Sequence, residues 1–79
     1  MKLPAIKLMA EQQDLAALKA AEEAILNEET PAFEVAGDDE GDQLTNILGA
    51  IWIREQVEAG MDFKEAFRAF AQRVRDSIS

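Results

Sequence analysis

The sequence predicts an all-α fold, a small bundle of three to four helices that dimerises through the third. Three observations predict it. Apolar residues recur at i, i+3, i+4 spacing along most of the chain. Ala, Leu, Glu and Lys, all strong helix formers, are concentrated in the second segment. Pro4, Asp14, Pro31, Gly60 and Asp62 stand where the periodic segments begin or end. At 79 residues the chain makes one domain. A domain of this size buries only about 60% of its unfolded-state surface, so association is an expected source of added stability.

The first helix is placed at about residues 4–12. Pro4 suits its first turn, where a missing N–H costs little, and Ile6, Met9 and Ala10 share a side. A break at Gln13–Asp14 gives Asp14 as N-cap of a second helix, about 14–28. Leu15, Leu18, Ala21, Ile25 and Leu26 carry its apolar stripe, and Lys19 lies three and four residues from Glu22 and Glu23. Pro31 stops it. An acidic linker, 28–41, follows. Phe33 and Val35 alternate with acids there, as in an extended plug laid over the helices.

A third helix is expected over about 41–59. Asp38, Asp39 or Asp42 is its N-cap and Gly60 its C′ residue, since Gly takes the left-handed conformation without steric cost. The fourth, about 63–78, starts after Asp62, with Glu65 three residues on in a capping-box-like spacing. Phe63, Phe67, Phe70, Val74 and Ile78 form its apolar stripe.

The third helix contains seven consecutive residues without a polar side chain, Ile47 to Ile53. A strand is the competing reading, but Leu44, Ile47, Leu48 and Ile51 follow the helical spacing and no other segment offers a convincing partner strand. On a helix this run is apolar on every side. Leu44, Leu48 and Ile51 make one face, and Ala50, Ile53 and Val57 another. Covering all of it asks for more than the other helices provide, so a second subunit is expected, with Leu48, Gly49, Trp52 and Ile53 as the self-association residues. Gly49 costs a helix about 1 kcal/mol relative to Ala unless a close approach compensates, and Gly49–Ala50 offers a flat spot to a neighbouring helix or a Phe ring.

Charge excludes several functions. The formal net charge is −8, and residues 1–46 carry 11 acids against 3 bases while residues 47–79 carry 5 of each. Such a surface repels phosphate backbones and anionic lipid, so neither nucleic acid nor membrane is an expected partner. No apolar segment approaches the roughly 18 residues that span a bilayer, and the N-terminus lacks a signal-peptide core. With no Cys, the expected location is the cytoplasm.

Catalytic parts are missing. Cys and His are absent, and the only serines are Ser77 and Ser79. The reading is therefore of a non-enzyme with no cofactor and no metal ligands. The stretch Asp38–Asp42 does not satisfy a calcium loop in any register, because no Gly falls at position 6 with a Glu at 12. Glu22, Glu23, Glu55 and Glu58 lack the His that carboxylate di-metal bundles use. Arg68 and Arg75, with Lys64 nearby, are expected to pair with the protein's own acidic half, across the fold or the dimer.

The segments "MKLPAIK", "LGAIWI" and "GMDFKEAFRAFAQRVRDSIS" resemble a family of small bacterial proteins, of Bacteroidetes type, catalogued as a domain of unknown function. Lys2, Pro4, Ile6, Lys7, Gly49, Ala50, Gly60, Lys64, Glu65, Ala66, Phe70, Arg73, Val74, Ser77 and Ile78 carry the likeness, and residues 28–41 match poorly. The resemblance implies a small cytoplasmic helical protein and assigns no site. The expected function is a noncatalytic protein-interaction or adaptor module acting as a homodimer, with room for another protein partner. The alternative is a small-ligand or divalent-cation binder that uses the bundle interior or the acidic linker.

Overall fold

The computed structural model describes residues 2–78 and contains four helices: α1 Leu3–Gln12, α2 Leu15–Leu26, α3 Glu40–Glu58 and α4 Phe63–Ile78. α3 packs against each of the other three, and α1 also touches α4. The chain is 32 × 29 × 16 Å, about two helices deep in its thin direction.

α1 ends where Gln13 turns extended, and Asp14 caps α2 by accepting a 2.8 Å hydrogen bond from the Ala17 N–H. The two helices are thus separate. α2 stops at Leu26, two residues earlier than the sequence suggests. Glu28 takes a left-handed conformation (φ 59°), the Glu28 N–H donates to Ile25 O, and the Glu29 N–H donates to Ala24 O. This is a Schellman stop, with a glutamate where glycine is usual. The same pair of bonds ends α3 around Gly60 (φ 109°), where glycine was expected: Gly60 N–H to Val57 O and Met61 N–H to Gln56 O.

The core draws on every element: Ile6, Met9 and Ala10 from α1, Leu18, Ala21 and Ile25 from α2, Ile47, Ala50, Ile51 and Ile53 from α3, and Ala66 and Phe70 from α4. Val35 of the linker is buried with them and Phe33 packs against them, so the linker does lie as a plug over the helices, bent at Ala32–Phe33 rather than extended throughout. Gly37 brings this linker against the start of α3. A Cβ there would stand 2.6 Å from the Gln43 backbone N.

The arrangement corrects the reasoning about α3. Of the seven apolar residues from Ile47 to Ile53, five are buried, Trp52 is half-buried and only Leu48 is exposed. The chain's own helices cover most of the run, because α3 is the central element and packs against all three of the others. Along the face of Leu44, Leu48 and Ile51, only Ile51 is buried, while Leu44 is half-buried and Leu48 exposed. Charge pairing within the chain is sparse. Among the described residues the ion pairs within 4 Å are Lys2–Asp38 and Arg54–Glu58. Neither Lys19 with Glu22 or Glu23, nor Lys64, Arg68 or Arg75 with the acidic half, forms one within the chain.

Candidate functional site

The four residues predicted for self-association divide into two pairs. Ile53 is fully buried among this chain's own side chains, and Gly49 is closed by Phe70 of α4 and Ile6 of α1. They serve the monomer's core. Leu48, 50% exposed, and Trp52, half-buried, stay at the surface. They line a shallow groove of about 340 Å³ between α3 and α4, with Gly49 and Phe70 as its floor and Thr45 and Arg73 on its rim. Phe70 and Arg73 also border an adjoining hollow that extends past Val74 toward Ser77.

Local chemistry holds this groove in shape. Leu48 and Trp52 are one helical turn apart, so both project from the same side of α3. The Trp52 and Phe70 rings lie 6.0 Å apart at a 40° tilt, within the range of favourable aromatic pairs. The Arg73 guanidinium sits 5.2 Å from the Trp52 centroid, on the solvent side, a cation–π contact worth about 0.5–1 kcal/mol when exposed. The groove therefore has a rigid aromatic floor, an apolar knob in Leu48 and a cationic edge.

Sequence reasoning missed Asn46, which opens the apolar run. It is the one buried polar side chain among the described residues and is fully enclosed. Its amide nitrogen donates a 2.9 Å hydrogen bond to Ala36 O, tying the linker down beside Val35, while its Oδ1 has no partner. The available signal was its register: Asn46 precedes Ala50 and Ile53 by four and seven residues, which puts it on the core side of α3.

The acidic linker does structural work. Asp39 caps α3 by accepting a 2.8 Å bond from the Asp42 N–H, and Asp42 reaches back to accept from the Asp38 N–H at 3.1 Å. Asp38 also pairs with Lys2 at 3.7 Å. These carboxylates face the positive end of the α3 dipole, where negative charge is favourable. Among the described residues no group of three or more carboxylates converges to hold a metal ion, and no helix is long and apolar enough to cross a membrane.

A family model described as "Family of unknown function (DUF6952)" matches residues 1–79, the whole chain, so the chain belongs to that family. Neither the curated proteins nor the solved structures yielded a significant match.

Proposed function

We propose that this member of a family of unknown function is a noncatalytic interaction module of the cytoplasm that works as a homodimer, with the α3–α4 groove as its contact surface. The observation that carries the reading is the exposure of Leu48 beside a preformed aromatic floor. Most of α3 is satisfied within the chain, and this groove is the part of the apolar run that is left over.

A second copy is the occupant that fits. A two-fold interface must be self-complementary, and this patch presents both a knob, Leu48, and a hollow over Gly49 and Phe70. Both charges stand beside it as well, with Arg73 on its rim and Asp76, one turn on, in the adjoining hollow. The patch is built from the electroneutral half of the chain, residues 47–79, together with Thr45. Two copies can meet there with the acidic linkers outside the contact. Absence of Cys and His supports a noncatalytic role and a reducing compartment.

Light scattering on a sizing column tests the reading. The wild type is expected to run at twice its 8.7 kDa at tens-of-micromolar loading, and Leu48→Glu at the monomer mass with its helical content unchanged. A wild type that runs as a monomer throughout refutes the homodimer.

A further inference from the structure

A second cleft lies between α1 and the start of α4 and shares no lining residue with the α3–α4 groove. Its volume is about 490 Å³, within the range of small-molecule sites. Phe63 and Phe67 form its apolar wall. Both are half-buried and pack on the core, so each keeps part of its ring open to the cleft. Lys7, Lys64 and Arg68 stand round it, with Glu11 and Asp62 on the same rim.

Acids outnumber bases two to one, yet among the described residues Lys7, Lys64 and Arg68, like Lys19 and Arg75, take part in no ion pair, and these three are gathered round one cleft. Lys7 instead holds its ammonium 5.5 Å from the Phe67 ring centroid, which places a charge directly over the apolar wall. Three cations against two carboxylates leave a single positive excess. We infer that this cleft binds a small amphipathic monoanion: an apolar body seated on Phe63 and Phe67, with one carboxylate met by Lys7, Lys64 and Arg68.

Charge sets the size of the ligand. The Debye length is about 8 Å at physiological ionic strength, so a small anion seated in the cleft feels the local cations and little of the net −8. A polyanion extending beyond the cleft meets the acidic remainder of the surface and is repelled. The site therefore selects a compact monocarboxylate over nucleic acid or a long acidic peptide.

The test is an NMR titration of the full chain with 3-phenylpropionate, with the uncharged 3-phenylpropanamide as control. Amide shifts are expected at Lys7, Glu11, Phe63, Lys64, Phe67 and Arg68, with a dissociation constant on the order of 1 mM. The amide control should bind about tenfold more weakly. Lys64→Ala/Arg68→Ala, two exposed changes that should leave folding intact, should also lose about tenfold. Absence of saturable shifts, shifts centred on Leu48 and Trp52, equal binding of the amide, or an unaffected double variant would each overturn the inference.

Discussion

Gly49 and Phe70 exclude anything larger from each other's space. A Cβ at Gly49 would stand 2.6 Å from Phe70 Cζ and 3.3 Å from Ile6 Cγ2. Gly49→Ala gains about 1 kcal/mol of helix propensity but overpacks the core, at about 1–3 kcal/mol. Phe70 is only 8% exposed and its ring packs at a 40° tilt against Trp52, so it has little room to withdraw. The expected net effect is a loss of up to about 2 kcal/mol by urea denaturation. In a Phe70→Leu background the tightest of these contacts is gone while the 3.3 Å approach to Ile6 stays, so the same Gly49→Ala change should cost less. If Gly49→Ala costs the same in both backgrounds, the close approach is not what selects glycine.

Asn46 tests whether the linker plug is fastened from beneath. Asn46→Ala removes its hydrogen bond to Ala36 O and should cost about 1–3 kcal/mol, the usual penalty for stranding a buried acceptor. Asn46→Asp adds a pH dependence. Burial raises a carboxyl's folded-state pKa above its unfolded value of about 3.9. The variant is therefore most stable below about pH 4, where its protonated carboxyl can donate to Ala36 O. Relative to wild type it loses about 1.4 kcal/mol per pH unit until the folded-state pKa is passed. Denaturation midpoints at pH 4, 5.5 and 7 check the slope. A variant whose deficit is the same at all three has an exposed carboxylate.

How far these features could be read in advance depended on whether their cause was local. Asp14, Gly60 and most of the stripes of α2 and α4 act through neighbours in sequence, and periodicity and capping rules found them, although Leu26 is 60% exposed and the Ile78 side chain lies outside the described residues. The α2 stop was hidden because Glu28 does a glycine's task, held by bonds that residue type does not announce. Of the four residues named for self-association, Leu48 and Trp52 keep exposed surface, whereas Gly49 and Ile53 are enclosed because α3 packs against all three other helices, a consequence of tertiary packing that residue spacing does not announce. The α1–α4 cleft was not legible, because Lys7 and Phe67 are brought together only by the packing of the chain's two ends.

The acids at the start of α3 should prove to be caps rather than ligands. Asp39→Ala removes the bond from the Asp42 N–H and is expected to cost about 1 kcal/mol, a fall of roughly 4–8 °C in Tm for a domain of this size. Asp38 uses its exposed side chain only in the 3.7 Å pair with Lys2, so Asp38→Ala should shift stability by less than about 1 kcal/mol. Millimolar calcium should leave the Tm of all three proteins unchanged. A specific calcium-induced rise, lost in Asp39→Ala, would restore the cation-binding reading.

The two Schellman stops make an opposed pair of predictions. Glu28 and Gly60 hold equivalent left-handed positions, one with a side chain and one without. The left-handed conformation costs a non-glycine residue about 1–2 kcal/mol. Glu28→Gly relieves that strain, and the added freedom of the unfolded chain takes back about 0.4–1 kcal/mol. The variant should come out a few tenths to about 1 kcal/mol more stable. Gly60→Ala should do the reverse and cost about 1 kcal/mol. Steric crowding does not enter there, because a Cβ on Gly60 meets nothing within 4 Å; backbone strain alone sets the loss. Both changes lie outside the groove and the cleft, so thermal melts read the backbone term cleanly. If Glu28→Gly destabilises by as much as Gly60→Ala, the left-handed turn after α2 contributes no strain and Glu28 is held by an interaction of its own.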